Sequence, residues 1–304
     1  MRLKSYPFSR AMRLLLLLSL TCAAASEPVR WSDAVIRLER KPAGSDAARF
    51  SSAIRVSPAL LATMLEPPAA GDTWRAVVRD RAAPVKLLAR DADSGFTLLA
   101  LPENNAPAWP VVPLEALSPA PSAGASLTLQ SADPAPLRVA GADILHDGKL
   151  LPTPWLRIHL PPGAWNQGTP LTHTNGTLAG LLAGGVPGVP EAAWMFPAEA
   201  VRHFTLLWTK SQSLARAELG FSITHAGGIP RVEQCYAALP AERAGIHPGD
   251  VILRIGPAEI HDAAAAARAC FFLRVDEPVK LTVLRGTETL EVSVTPEKEV
   301  QNEE

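Results

Sequence analysis

The sequence predicts a mostly β chain: a body of short strands forming a barrel or sandwich, then a small α+β unit near the C-terminus. Three observations predict it. Short apolar runs punctuated by turn residues recur from Ala34 onward, as strands joined by tight connections do. Proline is abundant, at 29 of 304 residues, and scattered, which suits many turns better than long helices. The stretch Ala241 to Ile255, AERAGIHPGDVILRI, compresses a helical turn, a left-handed glycine cap at Gly245, a Pro-Gly-Asp turn and an alternating strand. The length is enough for about two domains at roughly 100–200 residues each.

The opening residues have the composition of a secretory leader. Arg2, Lys4, Arg10 and Arg13 form a basic segment, Leu14 to Leu20 an apolar one, and Ala23-Ala24-Ala25 a small-residue cleavage site. The apolar run is too short to span a bilayer. Cys22 raises a lipoprotein alternative, but Ser19 and Thr21 fit a lipidation box poorly. Residues 1–26 are therefore expected to be a signal peptide, with the remainder exported, most simply to a bacterial periplasm.

Strands are expected over Ala34–Leu38, Ala53–Val56, Trp74–Val78, Val85–Leu88 and Phe96–Leu101. After a Pro/Ala/Ser-rich loop at Leu117–Ala125, further strands are expected over Leu127–Gln130, Leu137–Ile144, Trp155–Leu160 and Leu178–Leu182. Pro197–Trp208 is the first amphipathic helix, with Val201, Phe204 and Leu207 or Trp208 on one face. Thr209–Arg216 reads as a polar linker, and Glu297–Glu304 as an acidic, unstructured tail. The expected divisions are 1–26, 27–209, 210–296 and 297–304.

The net charge of −1 gives no case for nucleic acid or an anionic surface. The seven histidines stand singly, with no H-E-x-x-H and no paired cysteines at metal spacing, so neither metal nor cofactor is expected. Cys235 and Cys270 could form a disulfide in an oxidising compartment, or be two small buried hydrophobes; the second is the simpler reading.

The A-G-Φ-x-x-G-D-Φ-I pattern of Ala244–Ile252 resembles the PDZ domain, in the form carried by HtrA (Do/Deg-type) trypsin-like proteases. Five upstream segments resemble that family in order and spacing: Ser51–Glu66, Arg90–Leu101, Leu156–Leu171, Asn175–Leu181 and Ala193–Val201. The resemblance covers about residues 34–296 and implies a trypsin-like double β-barrel followed by a small α+β PDZ domain. It also places the catalytic triad. That chemistry needs a serine hydroxyl, a histidine base and an orienting aspartate. Leu65 (or Met64) falls at the histidine position, Gly95 at the aspartate, with Asp93 two residues away, and Gln167 at the serine. Trp165 stands where the family has a glycine that shapes the oxyanion hole. No histidine precedes His146; His159 and His173, with Thr169, Thr172 and Thr174, are the material for a rearranged site, and are read as loop residues. Cys235 lies in an apolar strand with no basic neighbour. The expectation from these positions is a pseudoprotease, not an enzyme.

For the PDZ unit, Glu218-Leu219-Gly220-Phe221 matches the x-Φ-G-Φ carboxylate loop. Phe221-Ser222-Ile223 would be the edge strand to which a peptide adds. Asp262 would cap the facing helix, with Ala265 and Ala269 lining a roomy apolar groove. The peptide-binding residues expected are thus Leu219, Gly220, Phe221, Ile223, Ala265 and Ala269. Arg216 is read as a solvated linker residue that could instead assist a ligand carboxylate. His261 is too early for a selectivity role.

The function expected is binding of peptides or protein C-termini as an adaptor, regulator or holdase in envelope protein quality control. An active HtrA-type paralogue is a possible partner, and the resemblance raises a homo-oligomer. Two alternatives stay open: an active serine endopeptidase with a rearranged triad, and a structural module whose groove is blocked.

Overall fold

The computed structural model describes residues 29–79, 81–102, 108–115, 117–131, 135–145, 153–160, 165–224 and 228–299. The expected leader and His146 lie outside these residues. The short helix α1 (Trp31–Ala34) leads into seven strands: β1 (Ile36–Lys41), β2 (Arg49–Ser57), β3 (Leu60–Met64), β4 (Thr73–Val78), β5 (Arg81–Pro84), β6 (Lys86–Arg90) and β7 (Phe96–Ala100). They form one antiparallel sheet in the order β5-β4-β1-β2-β3-β7-β6. β5 was not legible as a strand, because its sequence Arg-Ala-Ala-Pro carries no apolar alternation.

The middle of this sheet is buried on both faces. Ile36, Leu38, Ala53, Leu61 and Leu99 point into the sheet's own core. Their neighbours Ile54, Ala62, Met64 and Leu98 point the other way, into a core shared with the next domain. The period-two alternation of strand side chains thus feeds two cores at once.

The second β-domain is a closed barrel in the order β10-β13-β12-β11-β8-β9. Its strands are β8 (Ser126–Leu129), β9 (Ala135–Leu145), β10 (Thr153–His159), β11 (Pro170–His173), β12 (Leu178–Val186) and β13 (Val189–Pro197). Leu127, Leu129, Leu156, Ile158, Leu171 and Leu182 fill it. Helix α2 (Ala198–Ser211) follows, with Pro197 as N-cap, and runs three residues beyond the predicted end, closing at Gln212 in the left-handed conformation. Its Val201 and Phe204 are fully buried in the shared core, with Leu207 and Trp208 partly so.

The C-terminal unit is a five-stranded antiparallel run, β15-β16-β17-β19-β20, comprising β15 (Phe221–Thr224), β16 (Arg231–Cys235), β17 (Val251–Ile255), β19 (Val279–Arg285) and β20 (Glu288–Val294). β18 (Ala258–Glu259) pairs with β17 off that run. Helix α3 (Pro240–Arg243) precedes Gly245, whose φ of +82° fits the predicted glycine cap. Helix α4 (Ala263–Phe271) starts at Asp262, whose carboxylate accepts the Ala265 N–H at 2.7 Å. In the His247-Pro248-Gly249-Asp250 turn, Asp250 is buried, accepts the His247 N–H (2.9 Å) and takes both ends of the Arg285 guanidinium at 2.8 Å. These hydrogen bonds hold its carboxyl below the ordinary carboxylate range. The expected tail begins later than Glu297: β21 (Glu297–Lys298) pairs with β14 (Ala217–Glu218), returning the chain to the start of this unit. Cys235 and Cys270 are unpaired thiols; burial pushes the first up and the second to about 12.

Arg216 differs most from its expected role. Its side chain is 5% exposed, and it forks onto Asp91 of the β6–β7 turn, Nε to Oδ1 at 3.0 Å and Nη2 to Oδ2 at 2.9 Å. Nη2 also donates to Thr153 Oγ1 of β10 at 2.9 Å, and Nη1 lies 3.4 Å from Asp93. The guanidinium stacks 5.1 Å from the Phe271 ring of α4. One linker residue therefore touches both β-domains and the C-terminal unit. A buried charge stripped of its partner is strongly destabilised, whereas removing both charges is far less costly. Arg216→Met should accordingly lower unfolding free energy at neutral pH by about 3–5 kcal/mol. Adding Asp91→Leu to it should recover only part of that loss, because Asp93 keeps its charge and buried Ser94 loses its acceptor. Both are read from urea denaturation.

Candidate functional site

The three positions where the resemblance places a triad do converge. Gly95 ends the β6–β7 turn with φ +73°, and its carbonyl accepts the Leu65 N–H at 3.0 Å. Arg90 reinforces the same junction by donating to the Leu65 carbonyl from Nε and Nη2, each at 3.3 Å. Gln167 sits on the loop before β11, where its carbonyl accepts the Ser52 N–H of β2 at 2.7 Å. Gly168 beside it, at φ +78°, presses so closely on β2 that a Cβ would lie 1.8 Å from the Ser52 carbonyl oxygen. Leu65 and Gln167 share a surface pocket of about 220 Å³ with Phe50, Trp74 and the exposed Arg49–Glu66 pair. Trp165 is partly buried against the barrel core, its ring over Gly185.

Of the threonines near Gln167, Thr169 lies on the loop before β11 and Thr174 in an exposed turn, as expected, whereas Thr172 does not lie on a loop. Thr172 lies in β11 and accepts from Gln130 Nε2 at 2.9 Å. Thr169 is buried and bridges the Asn166 carbonyl (2.7 Å) and Ser52 Oγ (3.2 Å). His159 is exposed on β10 near Glu191 (3.9 Å). His173 Nε2 is buried without a hydrogen-bond partner among the described residues, and burial lowers its basicity. Asp93 faces Arg216 across 3.4 Å; burial nonetheless raises its carboxyl above the ordinary value. Among the described residues, no group of three or more His, Cys, Asp or Glu side chains is placed to hold a metal, and no helix is long and apolar enough to cross a membrane.

The second site is the outer edge of β15, the last strand of its sheet. Three local facts orient its backbone. The Leu219 carbonyl accepts the Ala241 N–H at 2.8 Å, and the Gly220 carbonyl accepts the Tyr236 N–H at 2.9 Å. Phe221 faces Cys235 in the ladder with β16. In a trans peptide the C=O and the following N–H point oppositely. The N–H groups of Gly220 and Phe221 are thereby turned away from α3 and β16, toward the outer edge of β15. The Tyr236–Gly220 bond also marks Phe221–Cys235 as a non-hydrogen-bonded pair, which gives the same orientation for the Phe221 N–H. Gly220 is required here: φ is +81°, and a Cβ would fall 2.2 Å from Cβ of Leu239.

The other expected residues surround this edge with different roles. Phe221 and Ile223 on β15, and Ala265 and Ala269 on α4, are partly buried against one core. Leu219 is 5% exposed, its side chain within that core. Arg216 is held by Asp91 and is not positioned to assist a ligand carboxylate. His261 is exposed, ahead of α4.

The comparisons with known proteins follow this geometry. Residues 217–295 match the PDZ domain family. No curated protein matches the sequence. Among solved structures, the HtrA-type protease AlgW with a decapeptide superposes with a TM-score of 0.62 at 16% identity, over 89% of this chain and 97% of the other. AlgW with a tripeptide gives 0.66 at 17% identity, over 89% and 95%. The serine endoprotease from Yersinia pestis gives 0.58 at 17% identity, over 88% and 95%. These likenesses establish a trypsin-like fold of the HtrA type followed by a PDZ domain. They also correct the expectation that the chain is not an enzyme: the structures sharing this whole architecture are those of proteases, and positions located by motif register are no evidence that activity is lost. Gly168→Ala should destabilise the protein by at least about 2 kcal/mol, since an added methyl at a close-packed seam with positive φ must displace β2. Thermal denaturation against a surface Gly188→Ala control, where a Cβ meets nothing within 4 Å, reads it.

Proposed function

We propose that this chain, which has the HtrA-type fold and a PDZ domain at residues 217–295, captures extended peptides and protein C-termini on the edge of β15. The observation that carries the reading is the outward orientation of the Gly220 and Phe221 N–H groups at the outer edge of β15, the last strand of its sheet among the described residues. A peptide added antiparallel to β15 gains main-chain hydrogen bonds there, and its terminal carboxylate meets the two N–H groups. Phe221, Ile223, Ala265 and Ala269 offer an apolar surface to the last side chain, which favours a bulky hydrophobic end. The decapeptide and tripeptide that accompany AlgW in those structures support the ligand class. In this reading the protein is exported, acts as an adaptor, regulator or holdase in envelope protein quality control, and assembles with further copies or with an HtrA-type protease.

The test is calorimetric titration of the full chain with peptides ending in a hydrophobic residue. Saturable binding is expected, weakened at least about tenfold when the peptide carboxylate is amidated, the loss of about 1.4 kcal/mol or more that a charge-assisted hydrogen bond represents. Gly220→Ala should abolish it. Equal affinity for the amidated peptide, or binding that survives Gly220→Ala unchanged, would remove the carboxylate loop from the account.

A further inference from the structure

The seam between α2 and the C-terminal unit holds an ionisable group that the peptide-binding reading does not use. His203 on α2 is 9% exposed, and its ring stands among three phenylalanines: Phe204 at 5.8 Å, Phe271 at 5.7 Å and Phe272 at 5.4 Å. Phe271 and Phe272 belong to the end of α4, so the imidazole lies where the PDZ domain meets the barrels. We propose that His203 is an acid-sensitive latch: neutral, it lets α4 dock on α2, and protonated, it releases the PDZ domain from the β-domains.

The charges around it are arranged to make the imidazolium costly. Arg216 and Arg274 both oppose a positive charge at this ring. The nearby carboxylates are engaged elsewhere: Asp91 and Asp93 face Arg216, Glu199 one turn earlier on α2 pairs with Arg268 of α4, and Glu277 faces Arg274 and Lys210. Cys270, on α4, is a protonated thiol and supplies no anion. Burial first, then the two arginines, lower the His203 pKa from 6.5 to about 4. A base whose docked pKa is depressed supports docking above the undocked value and loses that support as pH falls, here between about 6.5 and about 4. Asp93, Glu218 and Glu299, each raised by burial, work in the opposite sense, taking up protons more readily when docked. The proposal is therefore tested at His203 itself and not by pH alone.

Hydrogen exchange of the α4 amides, corrected for intrinsic rates, and small-angle scattering would be recorded on the full chain from pH 7.5 to 4.5. The His203 contribution, read as the unmodified chain against His203→Phe, should increase opening at α4 roughly fifty- to a hundredfold over that range, with a larger radius of gyration. His203→Phe, aromatic and unable to titrate, should lack this contribution to both responses. An α4 response identical in His203→Phe would overturn the latch. Should that variant not fold, the imidazole resonance of His203 decides: titration near 6.5 with α4 still protected would overturn it, and titration near 4 together with α4 opening would uphold it.

Discussion

The buried pair between Arg216 and Asp91 is the interaction on which the arrangement depends. Asp91 sits in the turn that also sets Gly95, and so the spacing of Leu65 across the first sheet. Arg216 directly precedes β14 and the carboxylate loop. Ion pairs of this burial add little net stability over an apolar substitute, but losing one partner leaves the other charge buried and uncompensated. With Thr153 and the Phe271 ring as further partners, the pair fixes where the PDZ domain begins relative to both β-domains.

The apolar core beneath that pair is continuous across the domains. Phe96 from the first sheet, Phe196 and Phe204 from the barrel and α2, and Phe271 from α4 lie with ring centroids 5.3–6.3 Å apart. Such pairs contribute about 0.5–1.5 kcal/mol each beyond the area they bury. The face of α4 carrying Phe271 is committed to this cluster, while Ala265 and Ala269 pack on the PDZ core. The helix is thus a wall of the proposed groove on one side and a docking surface on the other. Peptide capture in this account takes place on a domain seated firmly on its neighbours.

Much of the architecture was legible in the sequence because it rests on local rules. Strand alternation, Gly245 as a cap, Asp262 as an N-cap and the Pro-Gly-Asp turn each follow from neighbouring residues. The x-Φ-G-Φ loop was picked out by its resemblance to the PDZ domain, and the structure adds that Gly220 needs both its φ and the space beside Leu239. What escaped was long-range. Arg216 looked like a solvated linker residue, because Asp91 lies 125 positions away. Nothing near His203 in sequence announces Phe271 and Phe272. Thr172 read as a loop hydroxyl because its partner, Gln130, is distant in the chain. Reading activity from three register positions failed differently: side-chain identity at a motif position says what one group cannot do, not what the whole fold does.

The central claim is that β15 is the ligand's strand partner. The most direct measurement is hydrogen exchange of the full chain with and without a saturating peptide carrying a free hydrophobic C-terminus. The account predicts protection of amides in Gly220–Thr224 and little change in the β2, β3 and β11 amides around the inter-domain cleft. Protection confined to that cleft, with β15 unaffected, would contradict it.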